Sequence, residues 1–353
     1  MFADIIEKKE TIQVGSGEYD RIGITRVTRK KCGCSRYTAV MVPGAFSDFN
    51  TTFSKMAKYL AARDVDVWGM DLRYAFVPDD LNTVPYCQHA DCSFMKDWNT
   101  DMHISDIDRV VKMAELSSTD RVFLIGFSQG AYFAYRYASQ HPDLKGIVAM
   151  DIAYNLDPAL TDLIARTKAE VDANNAKMQS GIYYEDNLAV KTIAGLAYSD
   201  PEGPSPVIPD MTNRQAALFA ITATYQLEFS VPNYRYAQGD ITGLKYSDYN
   251  FVLEQAMKLK SFQSIVPTTE LYTQWIQESP QIPDIRIPLL YVGAEFGFGE
   301  FGLYTPGKVK TFNKNVSVCF VNDYGHGDLV YAENAKYDVW TKILKWIISG
   351  QKR

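Results

Sequence analysis

One stretch, RVFLIGFSQGAYFAY at residues 121–135, constrains the fold of this 353-residue chain more than any other. Its centre is Gly126-Phe127-Ser128-Gln129-Gly130. The bare G-x-S-x-G pattern arises by chance in roughly one chain in ten of this length, given ~7% each of glycine and serine. Its surroundings must therefore carry the argument. Residues 122–125 are a short apolar run of the kind a central parallel strand needs, and residues 129–140 are rich in alanine and aromatics at helical spacing. A serine between two glycines at such a junction sits on a strand-to-helix turn too tight for neighbouring side chains. This context makes Ser128 a candidate nucleophile.

The rest of the chain supplies matching elements. Residues 10–28 alternate polar and apolar and predict an antiparallel opening pair of strands. Residues 37–42 read as a buried strand ending in PGAFSDFN, followed by a helix in TTFSKMAKYLAAR with Asn50 or Thr51 as its cap. A strand at 65–70 leads into a long irregular loop, 71–100, and then a helix from about Ile104 to Leu116. A further apolar strand, 146–150, ends at Asp151. Strands alternating with helices in this rhythm predict a mostly parallel, doubly wound α/β sheet.

Beyond residue 152 the rhythm breaks. LTDLIARTKAEVDANNAKM and NFVLEQAMKLKSFQSI read as helices, with the loop SDPEGPSPVIPDMTN between them and no parallel strand in sight. Strand character returns at 287–292 and 316–321, and AKYDVWTKILKWIIS closes the chain as a helix. The expected organisation is a core from residues 1–152 and 283–353 with a helical insertion at 153–282. Insertions of this size on a sheet enzyme commonly form a lid.

Composition narrows the classes. The formal charge of −6 and a longest basic run of Arg29-Lys30-Lys31 leave no electrostatic footprint for nucleic acid. No apolar stretch approaches eighteen residues, so no transmembrane segment is expected. MFADIIEKKE lacks the n- and h-regions of a secretory signal, which points to the cytoplasm; export, with the signal removed, is the alternative. No phosphate loop or dinucleotide fingerprint occurs, and no cofactor is expected. Cys32-x-Cys34 and Cys87-x-His89-x-x-Cys92 have the donors for a tetrahedral metal. The first pair precedes a strand and the second group follows one, however, which places them at opposite ends of the sheet. A local Cys87–Cys92 disulfide or free thiols are expected instead, and no metal. Oligomeric state has no sequence signal.

A serine nucleophile needs a base, and the base an orienting group. Of the four histidines, His141 lies in the turn after the serine's helix, at the far end of the sheet; His89 and His103 read as surface or loop residues. His326, in VNDYGHGDLVY, follows the last strand directly, which brings it to the carboxyl edge where Ser128 emerges.

This chain order, with Pro43-Gly44 after the third strand, GFSQG, a long insertion and then GHGD before a final helix, resembles the α/β-hydrolase superfamily. The tail GHGDLVYAENAKYDVWTKILKWI is similar to its acid-lipase and carboxylesterase branches. The resemblance covers roughly 220 residues of the two core parts. It implies an α/β-hydrolase fold with a helical cap, and a serine hydrolase of ester bonds acting on a small-molecule ester. It further implies an oxyanion hole built from the N–H groups of Gln129 and of Ala45 or Phe46. Relatives place the orienting aspartate after the strand that follows the insertion, where this chain has LLYVGAEFGFGEFG and no aspartate. Asp151 and Glu295 are equal candidates, ahead of Glu300 and Asp328. The same residues would also serve an acyltransferase, thioesterase or peptidase, or persist in a non-catalytic binding protein. The insertion holds ten tyrosines, whose pocket would suit a mixed apolar and polar group.

Overall fold

Side-chain alternation in the middle strands decides the layering. In β3 (Tyr37–Val42) Ala39 and Met41 face one core, and Val40 and Val42 the other. Every residue of β3, of β6 (Gly146–Met150) and of β7 (Leu289–Ala294) is buried, as parallel strands covered on both faces must be. With β1 (Ile5–Gln13), β2 (Arg21–Arg29), β4 (Val65–Asp71), β5 (Phe123–Phe127) and β8 (Val316–Val321) they form one eight-stranded sheet, ordered β1-β2-β4-β3-β5-β6-β7-β8. β1 and β2 pair antiparallel, β2 runs antiparallel to β4, and the remaining pairs are parallel. The edge strand β1 carries the exposed run Glu7-Lys8-Lys9-Glu10, whose charges discourage edge-to-edge pairing. This computed structural model describes residues 4–30, 37–79, 84–118, 122–224, 231–232, 234–235 and 243–349. Cys32, Cys34, Tyr225, Phe229 and Tyr236 lie outside them.

Helices Phe49–Ala61 and Thr341–Ser349 cover one face, and Thr100–Leu116 and Gln129–Ala138 the other. Two helix starts differ from expectation. The first helix is capped by Asp48, which forms a capping box with Thr51, rather than by Asn50 or Thr51. The second begins at Thr100 under an Asn99 cap, because the cap sets the start and the apolar periodicity only the face. His103 therefore lies on a helix, 2% exposed and packed at a tilt against Phe133, instead of in a surface loop.

Between β6 and β7 the described residues add no strand to the sheet. This segment contains helices Thr161–Gln179, Leu188–Ser199, Asn213–Thr222, Tyr249–Lys258 and Val266–Trp275. Three of them enclose a small separate core around Ile193, Ala216 and Leu253. The expected helix NFVLEQAMKLKSFQSI stops at Lys258, and Phe262–Ser264 instead forms a short antiparallel ribbon with Tyr184–Asp186. Phe262, Leu271 and Trp275 join the main core on one face of the sheet. Cys87 and Cys92 are joined as a disulfide. No helix among the described residues is long and apolar enough to cross a membrane.

Candidate active site

Positive φ angles mark the site. Of six non-glycine residues with φ above zero among the described residues, four stand just beyond a strand's carboxyl end: Phe46 after β3, Ser128 after β5, Asp151 after β6 and Asp323 after β8. Each such residue costs about 1 kcal/mol or more, so their concentration at one edge of the sheet points to a functional constraint.

Ser128 links β5 to the helix that starts at Gln129, with φ 54° and ψ −124°. Its N–H donates to the Met150 carbonyl at 2.9 Å, while its own carbonyl accepts from Ala131 and Tyr132 in the first helical turn. The flanking glycines are required by close approach. A Cβ on Gly126 would fall 2.1 Å from the Gly130 carbonyl oxygen, and one on Gly130 would fall 2.2 Å from that of Val42.

Asp151 is fully buried at the end of β6. One carboxylate oxygen accepts the Ala294 N–H at 3.0 Å; the other accepts the Phe298 N–H at 3.2 Å and lies 2.7 Å from His326 Nδ1. The loop after β7 wraps this carboxylate so tightly that a Cβ on Gly297 would sit 1.9 Å from it. Because Asp151 accepts from two main-chain N–H groups, it stands as an acceptor toward His326 too. Nδ1 then carries the proton and Nε2 is the basic nitrogen. The imidazole, 3% exposed, stacks on Phe127 with ring centroids 4.5 Å apart and meets Phe298 edge-on. Phe127 immediately precedes Ser128, so this stack brings the imidazole to the turn that carries the serine.

The other candidate carboxylates face elsewhere. Glu295, at the end of β7, is exposed and accepts the Asp323 N–H at 2.6 Å. Glu300 is exposed in the first turn of helix Gly299–Val309. Asp328 is buried but braces the histidine loop, accepting from Ser247 Oγ–H, the Gly325 N–H and the Arg235 N–H; burial pushes its carboxyl up to about 6. Asp323, on the same loop, takes bonds from Lys245 and Tyr246, which hold it down to about 2, and from Arg235.

The turn after β3 lies against the serine, since a Cβ on Gly44 would be 3.1 Å from that of Ser128. Ser47 N–H and Oγ–H and the Tyr74 hydroxyl all converge on the Gly44 carbonyl. Within the turn the Phe46 N–H is occupied, donating to Gln263 Oε1 at 2.8 Å. The Gln129 N–H heads a helix and has no intrahelical acceptor. Of the remaining histidines, His89 is exposed, His141 stacks on Tyr137, and burial holds His103 down to about 3.

Gln263 escaped the sequence reading because its segment was expected to be helical. Several of the described insertion tyrosines pack against neighbours: Tyr154 lies between Tyr132 and Tyr135, Tyr272 on Trp275, and Tyr234 on Tyr331. A separate polar cleft of about 400 Å³, lined by Asp101, Tyr132, Arg136 and Glu270 among others, runs beside the serine's helix and includes none of Ser128, Asp151 or His326.

A family model described as alpha/beta hydrolase fold matches residues 39–188. A comparison with curated protein sequences returns no match. Among solved structures, a provisionally assigned lipase from Sulfolobus solfataricus superposes with a TM-score of 0.68 at 20% identity, over 99% of this chain and 95% of that one. A soluble variant of monoglyceride lipase from Saccharomyces cerevisiae gives 0.53 at 12% identity, over 94% and 93%. An epoxide hydrolase from Vigna radiata gives 0.52 at 12%, over 97% and 98%. With the strand order and the match to that model in agreement, the chain has the α/β-hydrolase fold.

Proposed function

We propose that this protein is a serine hydrolase that cleaves a carboxylic ester through an acyl-enzyme. The observation that carries the reading is the buried 2.7 Å bond between His326 Nδ1 and Asp151, with the ring stacked beside a serine on a strained turn. Ser128 Oγ attacks the ester carbonyl while His326 Nε2 takes its proton. The N–H groups of Gln129 and Ala45 receive the oxyanion, each worth ~100- to 1000-fold in rate. Phe46, whose N–H is already bonded to Gln263, stands outside the hole. Collapse expels the alcohol with the proton from His326, and water then repeats the sequence to release the acid.

Residues 153–282 act as the cap, and an ester substrate is in keeping with the likeness to monoglyceride lipase. The Cys87–Cys92 disulfide favours an oxidising compartment, hence the exported alternative. Stopped-flow hydrolysis of p-nitrophenyl esters of increasing chain length tests the mechanism. An initial burst of nitrophenol matching the enzyme concentration is expected. Linear release from time zero, at a rate that Ser128→Ala leaves intact, would contradict it.

A further inference from the structure

The turn that carries the proposed oxyanion donor is not held by the sheet alone. Phe46, its residue of positive φ, is bonded on both sides to the segment between β6 and β7: its N–H to Gln263 Oε1 at 2.8 Å, and its carbonyl to the Lys260 N–H at 2.6 Å. Gln263 is 2% exposed, and its other amide atom, Nε2, donates to Glu185 Oε1 at 2.5 Å. Thr268 Oγ–H donates to the same oxygen at 2.7 Å. The pairing of Phe262–Ser264 with Tyr184–Asp186 sets Gln263 directly opposite Glu185. The amide is thereby fixed in orientation, since only its oxygen can accept from Phe46 and only its nitrogen can donate to a carboxylate.

We infer that Gln263 and Glu185 are positioning residues: they hold the Ala45–Phe46 peptide and, through the Ala45 Cα that the two share, the adjoining Gly44–Ala45 peptide whose N–H is aimed at the oxyanion. In a turn whose third residue has positive φ, the central peptide, which carries the Ala45 carbonyl and the Phe46 N–H, can rotate as a unit and turn Ala45 with it, and Gln263 anchors it by that N–H. Without that anchor the Ala45 donor loses its preorganised direction, which weakens transition-state stabilisation and leaves ester binding alone. The inference rests on the hydrolase reading above.

The test compares kcat, KM, fluorophosphonate labelling rate and thermal midpoint for the whole protein and four variants. Gln263→Leu removes both amide atoms at similar volume; we expect kcat and labelling rate to fall together by about 10- to 100-fold with KM little changed. Glu185→Gln is expected to fall less, since the Phe46 bond remains. In Gln263→Glu two carboxyl groups face each other and need one shared proton to keep the relay, with Lys177 and Asp186 the charged neighbours of Glu185. Its kcat relative to wild type should therefore decline as pH rises. The exchanged pair, Glu185→Gln with Gln263→Glu, keeps an acceptor for the Phe46 N–H and a bond between 185 and 263 with its polarity reversed, Thr268 Oγ turning from donor to acceptor, and should recover most of kcat and lose the added pH dependence.

If Gln263→Leu keeps wild-type kcat and labelling, or if the folded exchanged pair is no better than Gln263→Leu, the inference is overturned while the hydrolase reading stands. A wild-type protein that takes no label overturns both.

Discussion

The serine half and the histidine half of the site are anchored differently. Ser128 and Asp151 hang on ladder bonds of the sheet: the Ser128 N–H on Met150, the Asp151 N–H on Val292, and the Asp151 carboxylate on the Ala294 N–H. The histidine loop and the turn after β3 are tied to the long segment between β6 and β7, through Asp328 to Ser247 and Arg235, Asp323 to Tyr246, and Phe46 to Gln263 and Lys260. Ser128 and Asp151, the proposed nucleophile and its acid, thus share the stability of the central strands. The proposed base and oxyanion turn depend on contacts that a change in the segment between β6 and β7 can alter without disturbing the sheet.

The sharpest way to break the first half is Gly130→Ala. The added methyl would meet the Val42 and Pro43 carbonyl oxygens at 2.2 and 2.4 Å, and neither can move without shifting β3. Loss of folding, or of well over ~3 kcal/mol in a denaturant titration, is expected along with all activity. Asp328→Ala addresses the second half. It leaves three donors without their acceptor beside His326, and should lower kcat about 10- to 100-fold while far-UV circular dichroism keeps its sheet and helix signal. A sheet signal lost in parallel with activity would mean that the two halves are not separable.

A smaller effect separates the halves by pH. His103 packs in the core as a neutral ring held down to about 3, so the unfolded chain takes up its proton first and stability is lost as pH falls below about 6.5. Asp328 is pushed up to about 6, so the folded state keeps a proton that the unfolded chain has released, and stability is lost as pH rises from about 4 to 6. Between pH 4.5 and 7 each contributes about 2 kcal/mol with opposite sign. Urea midpoints should therefore show His103→Phe gaining stability relative to wild type on acidification, and Asp328→Asn losing it.

The local patterns that announced the fold were those set by short-range physics. The apolar run before Ser128, the glycines beside it and the return of strand character at 287–292 all follow from burial and close approach, which neighbouring residues alone can express. The choice between Asp151 and Glu295 could not be made that way. Both stand at strand ends, and only the wrap of the loop after β7 around one carboxylate, with Glu295 turned out to the Asp323 N–H, separates them. Gln263 was hidden for a related reason: NFVLEQAMKLKSFQSI keeps an amphipathic helical pattern to its end, but pairing with Tyr184–Asp186 overrides local propensity after Lys258. His103 was misplaced because the apolar stripe of its helix begins one residue later, although Asn99 offered the cap signal.

The central claim is that Ser128 is a nucleophile activated by His326 and oriented by Asp151. Intact-mass measurement after fluorophosphonate treatment tests it most directly. One adduct per chain on Ser128 is expected, absent in Ser128→Ala and His326→Ala, formed about 100-fold or more slowly in Asp151→Asn, and formed at the wild-type rate in Glu295→Gln. An adduct that survives Ser128→Ala, or an Asp151→Asn protein that labels as fast as wild type, would contradict it.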